Sequence, residues 1–181
     1  MTSESSAGSP DRPGEWVLLS YRLPRDPSGP RTAVWRKLRK LGVAQISDGL
    51  VALPAGPRTR EQLEWLSEEV IDSGGTAVIW LATPGSRAQE HQLARTMAEA
   101  RAAEYRALVA TAKAAAASPA RATALRRLRN HLRAIQRRDY FPPPERDQAE
   151  AAVQALIPGM PPTGAEAGKR NAAGATKAPA P

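Results

Sequence analysis

The pair Asp48-Gly49 stands between two short β-leaning runs, VAQIS and LVALP. An Asp-Gly pair in that setting is the strongest short-range signal for a hairpin. That hairpin fixes the pattern around it. Before it lie the apolar run WVLLSY from Trp16 to Tyr21, closed by Pro24, and the segment PRTAVWRKLRKLG. In that segment Pro30 suits a helix start and Gly42 a C′ position, and Val34, Leu38 and Leu41 recur at i, i+4 and i+7. After the hairpin, Thr59 to Asp72 reads as a helix with Leu63, Leu66 and Val70 on one side, ended by Gly74-Gly75. TAVIWLA, Thr76 to Ala82, then reads as a fourth strand closed by Pro84-Gly85. The order strand, helix, strand, strand, helix, strand predicts an α+β fold. It is a ferredoxin-like βαββαβ unit, a four-stranded antiparallel sheet with two helices on one face.

Trp16, Trp35, Trp65 and Trp80 fall one each on the first strand, the two helices and the last strand. With one Phe in the chain, they are expected to be the large pieces of the core. The alternative is a base-stacking platform. The unit is placed at 15–85, followed by a helical appendage at 86–157. Ser86 to Ala117 forms one helix of it, Ala120 to Arg138 an Arg-rich second, and Glu145 to Ile157 a short last one. Residues 1–14 and 158–181 are Ser/Gly/Pro- or Ala/Gly/Pro-rich and aperiodic, and are expected to be disordered tails.

The charge is where function shows. Lys and Arg number 26 against 18 Asp and Glu, a net +8 over 181 residues, which argues for an anionic partner, nucleic acid first. There is no cysteine and there are two histidines, so thiolate chemistry is excluded and a histidine-based metal or triad site has little to build with. No apolar run reaches membrane-spanning length and the start lacks a basic n-region with an apolar stretch, so the chain is expected to be soluble and cytoplasmic. No cofactor and no catalytic residue is called.

Two helices concentrate the surplus. On the first, Arg31, Arg36, Lys37, Arg39 and Lys40 lie beside a second helix that carries Glu61, Glu64, Glu68, Glu69 and Asp72. Pairing between these neighbours and anion binding both remain open there. On the Arg-rich helix, Arg121, Arg126, Arg127, Arg129, Arg133, Arg137 and Arg138 have no acid among them, so like charges repel unless an anion arrives. Leu125, Leu128, Leu132 and Ile135 make a packing stripe. Arg126, Arg129, Arg133 and Arg137 form a separate line about 16 Å long at ~1.5 Å rise per residue. A duplex presents a phosphate charge every ~1.7 Å of its axis, and a guanidinium fork donates to a phosphate in two parallel bonds. That line is read as an anion contact. Glu90, Glu99 and Glu104 on the preceding helix are the acids placed to compensate it.

Trp16, Tyr21-Arg22-Leu23-Pro24, Ala33-Val34-Trp35-Arg36, Leu41-Gly42, Asp48-Gly49 and Leu53-Pro54, taken in order, resemble the opening of the ChrB family of chromate-resistance regulators. Glu104-Tyr105 and LRRLRNHLRAIQRRDYFPPPER resemble that family's Arg-rich helix leading into an Asp-aromatic-Phe. The likeness spans roughly 15–157. It implies a transcriptional regulator whose binding to DNA responds to chromate, with Lys and Arg of this domain as the DNA and chromate contacts. Full-length members carry a second, carboxy-terminal domain. This chain has an Ala/Pro tail there, so it is expected to act as a homodimer or with a separate partner supplying that half. The first strand and helix also resemble, more distantly, the ferredoxin-like nuclease of CRISPR spacer acquisition and a module of phenylacetate-type repressors. The nuclease needs a metal-binding Asp after the strand's Tyr, and here Tyr21 is followed by Arg22, a cation that cannot ligate a divalent metal. A non-enzymatic DNA-binding regulator is therefore the leading expectation. A protein-binding oligomerisation module is the alternative, and a metal-dependent nuclease ranks below both.

Overall fold

The computed structural model describes residues 14–26 and 28–157. The expectations for 1–14 and 158–181 lie outside these, apart from Gly14. The elements run β1 (Trp16–Arg22), α1 (Ser28–Leu41), β2 (Ala44–Ser47), β3 (Leu50–Pro54), α2 (Pro57–Asp72), β4 (Thr76–Ala82), α3 (Arg87–Ala116), α4 (Arg121–Gln136) and α5 (Glu145–Gln154). The sheet has four strands in the order β2-β3-β1-β4, every neighbouring pair antiparallel. This is the predicted α+β architecture, a βαββαβ unit followed by helices.

Two glycines hold it in shape. Gly49, at φ +73°, accepts a hydrogen bond from Tyr21 N at 2.7 Å, and a Cβ there would stand 2.4 Å from the Tyr21 carbonyl oxygen. Only glycine meets both demands. Gly42, also at φ +73°, ends α1 by donating to Leu38 O at 3.1 Å, an αL cap.

The chain divides into two compact units. Among the described residues, one holds those up to Glu104 together with Ala134–Pro143, the other Tyr105–Arg133 with those from Pro144 to Ile157. In the first, Val17, Leu19, Val51 and Leu53 point to the helices, where Val34, Leu38, Leu63, Leu66 and Val70 are buried. Trp16 alternates to the opposite face of β1 and stacks on Phe141, ring centroids 5.9 Å apart, with Met97 in the same core. In the second unit the buried residues are Tyr105, Leu108, Ala112, Leu128, Ala149, Val153 and Leu156. There the Arg121 guanidinium donates to the α5-end carbonyls of Leu156 (2.9 Å) and Ala155 (2.7 Å).

The tryptophans correct the sequence reading. Trp16 alone is core; Trp35, Trp65 and Trp80 are 49%, 62% and 54% exposed. The reason is positional. Trp16 lies on β1, flanked by β3 and β4, whereas Trp80 lies on an edge strand and faces away from the helices, opposite Leu18. Trp35 and Trp65 sit outside the stripes 34/38/41 and 63/66/70 that the helices bury.

α2 starts at Pro57 with no side-chain cap on Gly56, and a threonine in its first turn fastens it instead. Thr59 Oγ lies 2.7 Å from Pro54 O and 3.0 Å from Gly56 O, tying the helix back to β3. Thr59→Val keeps the shape but leaves the part-buried Pro54 carbonyl without this donor. The expected loss is about 1 kcal/mol, read as a melting temperature lower by a few degrees.

Candidate functional site

The second unit carries the arginine face. Packing of Leu128, with Leu125 and Leu132 half-buried beside it, leaves Arg126, Arg127, Arg129 and Arg133 exposed. Arg133 folds back on its own helix, donating to Asn130 Oδ1 at 3.0 Å and to Arg129 O at 3.4 Å. Among the described residues, none of these guanidiniums has a carboxylate partner. The self-repulsion expected from the sequence is therefore not relieved by a carboxylate within the described chain.

The first unit assembles a second cationic site. A cavity of about 370 Å³ is lined by Lys40 from the end of α1, Arg58 and Gln62 from the start of α2, and Arg137, Arg138 and Tyr140 after α4. Arg138 is anchored: it donates to Arg39 O at 3.0 Å and to Glu104 Oε2 at 2.6 Å. Glu104 in turn takes Arg101 at 2.9 Å. So Arg138 is partly neutralised, while Lys40, Arg58 and Arg137 keep their charge without an ion-pair partner among the described residues. Tyr140 O–H donates to Leu41 O at 3.3 Å. Burial pushes its hydroxyl above the ordinary tyrosine range, against the opposing pull of Arg58 and Arg101; it therefore stays protonated, a donor, at neutral pH. Gln62 Oε1 is buried with no hydrogen-bond partner among the described residues, and its amide N–H is the end of the side chain that can donate to an anion. The site can take a small multivalent anion. Another cavity, about 400 Å³, opens among Trp16, Leu18, Ile46 and Leu93, and no ionisable side chain lines it.

The structure thus separates the residues singled out from sequence. Lys40, Arg137 and Arg138 come together. Lys37 is taken by Glu69 on α2, and Arg39 lies over the Trp35 ring at 4.8 Å. Arg36 is exposed, and Arg126, Arg127, Arg129 and Arg133 belong to the other unit. Of the acids placed to compensate them, Glu104 reaches Arg138, and Glu90 accepts from Gly14 N at 2.7 Å. Arg58, Gln62 and Tyr140 were not singled out. Their one sequence signal is the position of Tyr140 in the Asp-aromatic-Phe run. Among the described residues, no cluster of His, Asp or Glu could hold a metal ion, and no helix is long and apolar enough to cross a membrane.

A family model described as Protein ChrB, N-terminal, matches residues 31–122, half of the chain. No curated protein and no solved structure matches it.

Proposed function

The chain belongs to the ChrB N-terminal family, and we propose that it is a non-enzymatic, DNA-binding transcriptional regulator that answers to chromate. Membership associates it with chromate resistance; DNA binding and the effector response are our reading. The observation that carries it is the α4 face, where Arg126, Arg129 and Arg133 recur at helical spacing with no carboxylate partner among the described residues. Docking phosphates there would release condensed counterions and relieve the repulsion in one step. Arg22, standing where the nuclease that this strand and helix distantly resemble needs an acid, supports binding without cleavage.

Chromate, a tetrahedral dianion, matches the cavity of Lys40, Arg58 and Arg137 in charge, and the Gln62 amide N–H adds a neutral donor. A dianion held there engages Arg137 and withdraws it from any phosphate contact. The test has two arms. Binding of promoter DNA, followed by fluorescence anisotropy over a range of salt, should give a steep negative log–log slope of about −0.9 for each phosphate contacted; a flat line removes nucleic acid from the account. Chromate should then release the DNA, and Arg58→Gln should raise the chromate needed by about tenfold, the loss of one charge-assisted bond, while leaving DNA affinity in its absence unchanged. Equal chromate sensitivity in the variant would place the effector elsewhere.

A further inference from the structure

Sorting the charges of α1 and α2 by direction reveals a surface with no role in the proposed contacts. Part of this charge is satisfied within the unit: Lys37 pairs with Glu69, and Arg60 with Glu64 at 2.7 Å, and Arg39 lies over the Trp35 ring. The outward charges have no ion-pair partner among the described residues. On α2, Glu61, Trp65, Glu68 and Asp72 recur at spacings of four, three and four, a single stripe opposite the buried Leu63, Leu66 and Val70. On α1 the outward stripe is Thr32, Arg36 and Arg39. Among the described residues, Glu61, Glu68, Asp72, Arg36 and Arg39 have no ion-pair partner. Trp65, the most exposed of the large hydrophobic side chains described, sits in the middle of the acidic stripe at 62% exposure.

We propose that the α1–α2 layer is a dimerisation surface whose occupant is a second copy of this chain. The two helices pack side by side on one face of the sheet and carry opposite charge. A two-fold axis running along the groove between them lays α1 of one copy over α2 of the other, and the reverse. Such a contact is isologous: each residue pair occurs twice. It sets Arg36 and Arg39 against the Glu61, Glu68 and Asp72 of the partner copy and covers Trp65, the residue type that most often anchors an interface. A duplex fits this layer poorly, because the acidic stripe would face its phosphates. At ~1.5 Å per residue and helices ~10 Å apart, the layer buries on the order of 1,000 Å² in total, the low end for a specific interface. The dimer is expected to be of micromolar affinity and sensitive to salt.

Sedimentation velocity on the nuclease-treated full chain tests this, with variants that exchange the charges. The unaltered chain should dimerise at low salt and dissociate as salt rises. A chain with Arg36→Glu and Arg39→Glu, and another with Glu61→Lys and Glu68→Lys, should each be monomeric. Mixed in equal amounts, the two should form a heterodimer, since each now complements the other. Trp65→Ser, at an exposed position that leaves the fold intact, should weaken self-association at least tenfold. A monomer at the highest attainable concentration overturns the proposal, as does a mixture that stays monomeric. So does a dimer indifferent to both exchanges but lost on Trp80→Ser, which would move the contact to the sheet face.

Discussion

Replacing Arg126, Arg129 and Arg133 together by glutamine lowers the affinity for duplex DNA by roughly a hundredfold near physiological salt. The figure follows from counterion release: each lost phosphate contact removes about 0.9 from the log–log salt slope, or about fivefold at ~0.15 M salt. The slope itself should flatten by about 2.7 if all three side chains reach phosphates. Glutamine keeps most of the length and nearly the helix propensity of arginine, so α4 persists. Because the three arginines repel at i, i+3 and i+4, the variant should melt no lower than the parent, and circular dichroism can show it. That combination, weaker binding on an equally stable fold, separates a phosphate-binding face from a merely solvated one. The loss should be the same for any DNA sequence, since phosphates carry no base identity. An unchanged slope would leave the arginine face without its ligand; a loss confined to one sequence would make it a reader of bases instead.

The fold was legible because its determinants are local. Asp48-Gly49 fixes the hairpin through a φ that glycine alone adopts freely, and the stripes Val34/Leu38 and Leu63/Leu66/Val70 mark the buried sides of α1 and α2 by their spacing alone. The same stripes also exclude Trp35 and Trp65. Residue size outweighed periodicity in the sequence reading, and periodicity had the right answer. The arginine face of α4 was legible for the same reason, one helix and one period. The cavity was not. Lys40, Arg58 and Tyr140 come from three separate segments, brought together by the sheet and by the chain's return after α4, and no spacing encodes that meeting. Nor could composition reveal that Arg138 is engaged structurally. It looks like its neighbours in sequence, yet it is held by Glu104 and the Arg39 carbonyl, whereas Arg137, one residue earlier, is free of carboxylates among the described residues.

That engagement leads to the largest expected effect on stability. Glu104 is the carboxylate shared by Arg101, whose side chain is 10% exposed, and Arg138, at 20%. Gly42 leaves room for this cluster: a Cβ at that position would lie 2.6 Å from an Arg101 nitrogen and 3.1 Å from Arg138 Cβ. Glu104→Gln keeps the volume and removes the charge, leaving two little-exposed guanidiniums side by side. Breaking a fully buried pair costs about 3–5 kcal/mol. With Glu104 itself 29% exposed, solvent screening trims the expectation to about 2–3 kcal/mol, seen as a lower urea midpoint at unchanged slope. Replacing Arg101 and Glu104 together, by Met and Leu, should restore part of the loss, because apolar groups of similar volume need no partner in a desolvated site. The double variant would then be more stable than the sum of its singles, a coupling that a double-mutant cycle measures directly. Arg138 keeps the Arg39 carbonyl in every variant, so Arg137 and the cavity should survive the double exchange and still take up an oxyanion. If Glu104→Gln were to unfold within about 0.5 kcal/mol of the parent, the cluster would be solvated decoration, and the fixed position of Arg138 would need another source.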